Sequence, residues 1–89
     1  MKSGVELIAE ERAKQIAKYN HTGYTDSCYE NKELLQGAIT YIQLAMSKGE
    51  YGHDRWPWHP DSLKDEGYIE NLKKAGAFIA AELDRVQLN

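Results

Sequence analysis

The carboxylates with the clearest chemical spacing are Glu30 and Glu33, three residues apart in Glu30-Asn31-Lys32-Glu33. On a helix this spacing sets two carboxylates one turn apart on one face, where they can share a magnesium ion. Magnesium held in this way offsets phosphate charge and helps activate water. A facing acidic pair is missing. Glu82 and Asp84 are two residues apart and point in different directions on a helix, and Glu70 is followed three residues later by Lys73.

All-α nucleoside triphosphate pyrophosphatases set an E-x-x-E pair against an E-x-x-D pair on the following helix, so this chain carries half of that arrangement. A magnesium-dependent pyrophosphohydrolase with Glu30 and Glu33 as metal ligands is therefore the enzymatic alternative. Magnesium is expected under that alternative only, and no other cofactor is implied. His21, His53, His59 and Cys28 show neither the helical i, i+4 spacing nor the C-x-x-C unit of a zinc site. The serines lack the glycines of a nucleophile elbow, and the seven glycines are too dispersed for a phosphate loop. No catalytic residue is assigned.

Residues suited to binding are more numerous. Trp56 and Trp58 flank Pro57, with His59 and Pro60 following. The prolines push Trp56 and His59 toward extended backbone. Each indole buries roughly 150–250 Å², so this loop either covers one end of the helices or lines an aromatic pocket. Alternation along an extended segment places Trp56 inside and Trp58 partly exposed. Tyr24 lies in the turn-rich segment 20–30. Arg12 interrupts an apolar helix face, where its guanidinium either pairs with an acid at the rim or holds a ligand's carboxylate or phosphate. Arg12, Tyr24, Trp56, Trp58 and His59 are the expected ligand or partner contacts.

Three helices must position these groups. Ser3 and Glu6 form a capping box, and a first helix is predicted over 4–19 with Val5, Ile8, Ala9, Arg12, Ile16 and Tyr19 on one face. Asn31 can cap a second helix over 31–47, which ends at Gly49 in a left-handed cap, and the two form a hairpin. A short turn capped by Asp61 follows the tryptophans. The longest pattern is a third helix, over 67–87. There Ile69, Leu72, Gly76, Ile79, Leu83 and Val86 recur at steps of three and four. Gly76 marks a close helix crossing, within or between subunits. The expected fold is all-α, one three-helix domain over 1–89 with an aromatic, proline-containing loop between helices 2 and 3. Its expected core is Ile8, Ile16, Leu34, Ile39, Ile42, Leu72, Ile79 and Leu83.

A chain of 89 residues buries only about 60–65% of the surface that its unfolded form exposes. That margin, with more apolar helix face than three helices can cover, predicts self-association as a dimer. Eleven Lys and Arg against fourteen Asp and Glu leave a formal charge of -3, which disfavours nucleic acid as a partner. A mean hydropathy of -0.69 and the lack of a long apolar run exclude a helical membrane span. The N-terminal stretch turns helical and charged without a signal-peptide core, so an intracellular location is expected.

Several segments resemble a family of small uncharacterised proteins common in bacteriophages and prophages. They are Leu7-Ile8-Ala9 with Glu11-Arg12 and Gln15-Ile16, then Gly23-Tyr24-Thr25, Glu33-Leu34, Trp56-Pro57-Trp58, and the run from Lys74 through Ala75-Gly76-Ala77-Phe78 to Arg85. The resemblance spans nearly the whole chain, and the last run is its most specific part. Members of that family carry an acidic or His-bearing cluster before the Glu-Leu pair, where this chain has the shorter segment 26–31 with Asp26 and Glu30 as its acids. The resemblance implies a phage-type accessory protein in a bacterial cytoplasm. On the residues themselves, the leading expectation is a non-enzymatic helical binding module for a host protein or a small nucleotide-like ligand. The pyrophosphohydrolase is the alternative.

Overall fold

The first helix starts where its capping box places it. Glu6 N–H donates to Ser3 Oγ and Ser3 N–H to Glu6 Oε1, each at 3.2 Å, which satisfies donors that a helix start leaves open. In the computed structural model, which describes residues 1–19 and 32–88, this helix is α1, Gly4–Tyr19. Helices α2, Glu33–Ser47, and α3, Tyr68–Leu88, follow, with single 3-10 turns at His53–Arg55 and Pro60–Ser62 between them. No strand occurs among the described residues. The fold is all-α, with the long C-terminal helix packed on the other two.

Local chemistry accounts for the ends. Lys48 and Gly49 both take left-handed backbone, at φ 56° and 87°, and the N–H groups of both reach the Leu44 carbonyl. The expected cap Asn31 lies outside the described residues, and Lys32 enters α2 with φ 67° and no side-chain cap. The 3-10 turn at Pro60–Ser62 is capped by His59 instead of Asp61, because the Asp61 N–H donates to His59 Nδ1 at 3.1 Å.

Each of the two long helices has three faces set by one-residue steps. Leu34, Ala38, Tyr41 and Ala45 of α2 and Asn71, Ala75, Phe78 and Glu82 of α3 are buried and form the seam between the helices. The pair is antiparallel. Tyr41 stacks near Phe78, while Leu44 and Ala45 share a hollow with Tyr68 and Asn71. One residue earlier on each helix lies an inner face that α1 and the aromatic loop cover. It includes Gly37, Thr40 and Leu44 on α2 and the fully buried Ala77 and Ala81 on α3. One residue later lies an outer face, Ile39, Ile42 and Met46 with Leu72, Ile79 and Leu83, which stays open.

That arrangement corrects most of the expected core. Leu34 is buried and Ile8 half-buried, but Ile16, Ile39, Ile42, Leu72, Ile79 and Leu83 are 37–54% exposed. The buried seam of α3 sets one alanine, Ala75, beside Phe78 and two hydrogen-bonding side chains, Asn71 and Glu82, against Ala38 and Ala45 of α2. Its hydrophobicity is lower than that of the neighbouring stripe, yet its small residues let α2 approach closely. On α1 the buried residues are Glu11, Arg12 and Gln15, at 5–8% exposure, while Val5 and Ile16 face outward. α1 lies against α3, so the closest helix pair is α2 with α3 rather than the first two helices. Ile8 crosses at Gly76, where a Cβ would meet Ile8 Cδ1 at 2.5 Å. The close crossing at Gly76 is therefore within the subunit.

Candidate functional site

Trp56 and Trp58 reach the inner face because Gly37 has no side chain. A Cβ there would lie 2.9 Å from Trp58 Cζ3 and 3.3 Å from two Phe78 ring carbons. Tyr41, Phe78 and Trp58 form a stack of near-parallel rings, with centroids 6.0 and 5.3 Å apart and planes 17° and 20° from parallel. Trp56 stands across that stack, 4.9 Å from Trp58 and 5.4 Å from Tyr41 at 74° and 81°. Both arrangements are favoured by the ring quadrupoles. The Trp56 indole N–H is held by the His59 carbonyl at 3.0 Å and Ser62 Oγ at 3.1 Å, and the Lys64 N–H donates to the Tyr41 hydroxyl at 3.2 Å. The loop is tied down at both ends.

Between this cluster and α1 lies a hollow of about 360 Å³, within the roughly 300–1,000 Å³ of small-molecule pockets. Its walls are aromatic. Glu11 and Gln15 of α1, His59 and Ser62 of the loop, and Lys64 and Lys74 supply the polar groups. Lys74 is already engaged, with Glu66 at 2.6 Å and Glu70 at 4.0 Å. Glu11 differs: it is 7% exposed, and its buried Oε1 accepts no hydrogen bond, with the Lys14 ammonium 3.9 Å away. A buried acceptor without a donor costs about 1–3 kcal/mol. That oxygen is closed off from solvent in the free chain, so a ligand donor would recover the cost only with a turn of the Glu11 side chain toward the hollow.

The structure brings three of the expected contacts together, for Trp56, Trp58 and His59 all line the hollow. Both tryptophans are half-buried, in place of the expected division into one inside and one out, because Trp58 stacks on Phe78 while Trp56 packs across Tyr41 and Phe78, so that both reach the core. Arg12 is placed elsewhere. Its guanidinium meets Asp84 at 3.1 and 3.3 Å and Gln15 at 3.5 Å, within the α1–α3 contact. Glu33 is half-buried in the first turn of α2, whereas Tyr24 and Glu30 lie outside the described residues. No group of three or more His, Cys, Asp or Glu is gathered for a metal ion among the described residues.

Glu11, Tyr41 and Phe78 are the site residues that the sequence conceals. Glu11 sits one turn beyond Ile8 on the true inner face of α1, a signal readable only once that face is known. Another ion pair lies at the far end of the seam. Arg85 grips Glu82 with two bonds of 2.8 Å, both side chains being 11% exposed. The guanidinium holds the Glu82 carboxyl below its usual range, against burial that pushes it up. Comparison with family models, curated proteins and solved structures finds no match to this chain. No helix among the described residues is long and apolar enough to cross a membrane.

Proposed function

We propose that this chain is a non-enzymatic binding module whose aromatic hollow takes a small, planar, nucleotide-like ligand, and that it works as a phage-type accessory protein in a bacterial cytoplasm. The observation that carries this reading is the conjunction in one hollow of two half-buried indoles with Glu11 in its wall, whose buried Oε1 has no hydrogen-bond donor. A base is flat, stacks on an aromatic face for about 1–3 kcal/mol, and presents N–H groups at its edge. Guanine offers two adjacent donors to a carboxylate, whereas adenine offers one donor beside an acceptor. Glu11 therefore favours guanine. Lys64 is exposed at the lining, where its ammonium suits the ligand's phosphate.

Tryptophan emission tests the proposal directly. Guanosine monophosphate should change it saturably and bind more tightly than adenosine monophosphate. Glu11→Gln should weaken guanosine monophosphate by about 10- to 100-fold, the equivalent of one lost charged hydrogen bond, and Trp58→Ala should weaken both nucleotides. The absence of a saturable response to either nucleotide at millimolar concentration would overturn the reading.

A further inference from the structure

The outer face of the α2–α3 pair is the largest feature that the hollow does not involve. Each of its residues directly follows a buried one: Ile39, Ile42 and Met46 follow Ala38, Tyr41 and Ala45, while Leu72, Ile79 and Leu83 follow Asn71, Phe78 and Glu82. One step along a helix is a rotation of about 100°. Because the helices are antiparallel, equal rotation from their shared seam carries both stripes to the same side. At one end Met46 and Tyr68 line a common hollow, as that geometry requires. Exposures run from 37% at Ile42 to 72% at Met46.

We infer that this face is covered by the same face of a second copy of the chain. Size argues first. A helix about 10 Å wide rising 1.5 Å per residue makes the two-helix plate on the order of 20 by 25 Å. Two such plates of about 500 Å² each bury on the order of 1,000 Å² together, about the least that a specific interface clears, and each lies toward the upper end of the roughly 300–600 Å² of a monomer's largest apolar patch. Charge argues second. No Asp, Glu, Lys or Arg occurs from residue 34 to 47, and those of α3, Glu70, Lys73, Lys74, Glu82, Asp84 and Arg85, all fall off the outer stripe. A charged patch set against itself across a twofold axis meets its own sign; this one meets none. Charged groups, Lys48 and Asp65, stand only at its end, beside Met46 and Tyr68.

Two antiparallel pairs packed face to face across a twofold axis form a four-helix layer with all four apolar stripes inside. α1 meets that face at Gly76, between Leu72 and Ile79, where Ile8 lies over the glycine; Leu72 and Ile79 on either side stay 42% and 43% exposed, so they remain open to an approaching partner. The hollow opens on the inner side, between α1 and the loop, and stays accessible in such a dimer. The inference is thus independent of the proposed ligand.

Sedimentation equilibrium at micromolar concentration tests it with the full chain. The unmodified protein should have twice the 10.2 kDa chain mass. Ile79→Lys and Ile79→Glu should each give a one-chain species with undiminished helical circular dichroism, since residue 79 is 43% exposed in the single chain and a long charged side chain can keep its head in water. Equimolar mixing of the two variants should restore the two-chain mass, because opposite charges then face each other. Met46→Lys, at the most exposed of these positions, provides a second disrupting variant if either Ile79 variant loses helicity. An unmodified protein that sediments as a single chain would overturn the inference. So would helical Ile79 and Met46 variants that remain dimeric.

Discussion

Gly37 shows how one missing side chain builds the site. Its replacement by Ala gains up to about 1 kcal/mol of helix propensity, but the new Cβ would stand 2.9 Å from Trp58 Cζ3 and 3.3 Å from Phe78, rigid rings that support each other. Overpacking of this kind costs about 1–3 kcal/mol, so Gly37→Ala should lower the urea midpoint and shift tryptophan emission to the red. Gly76 differs, since the atoms a Cβ there would meet, Cδ1, Cγ1 and Cγ2, all belong to one half-buried isoleucine. Gly76→Ala should gain about 1 kcal/mol in an Ile8→Ala background and clearly less in the unmodified chain, a difference that a double-mutant cycle of urea midpoints reads directly. Glu82 makes stability depend on pH. Arg85 depresses its folded-state pKa, so the stabilisation is present above the unfolded value and is lost as pH falls toward the folded one. Between about pH 5 and 3 the midpoint should fall, and less steeply in Glu82→Gln. At this scale Trp56, Trp58 and His59 were legible because two indoles and two prolines crowd into a few residues. Glu11 was hidden because a buried polar residue leaves no mark in a hydrophobic pattern.

Helix positions and ends were legible too, from the Ser3–Glu6 box to the left-handed turn at Gly49, because capping is local chemistry. Which stripe of each helix is buried was not. The sequence periodicity selects Leu72, Ile79 and Leu83, and the seam uses their immediate predecessors, Asn71, Phe78 and Glu82. A helix that carries two adjacent apolar stripes has no single phase, and small residues settle the choice by letting a neighbour come close. The consequence is measurable by truncation. Leu44 is fully buried, so Leu44→Ala should cost about 2–5 kcal/mol at any protein concentration. Leu83 is 54% exposed, and in a dilute single chain Leu83→Ala should stay within about 0.5 kcal/mol, as surface changes do. If the second copy covers it, the cost grows as concentration rises, which a urea series at several protein concentrations would detect.

The described residues form a helical layer with one finished side. On the inner side α1 and the aromatic loop close over α2 and α3 and leave the hollow; on the outer side a charge-free apolar plate faces outward. As proposed, the inner side serves ligand recognition within one chain and the outer side association between chains. The single chain is already compact, with a radius of gyration over Cα atoms of 12.4 Å, close to the roughly 12 Å expected for its length, so the open plate is not the result of loose packing. Small-angle X-ray scattering at micromolar concentration measures mass and dimension together. The account predicts forward scattering for two chains and a radius near 16 Å, the value for a compact particle of twice the length. Forward scattering for one 10.2 kDa chain, with a radius close to 12.4 Å, would contradict it.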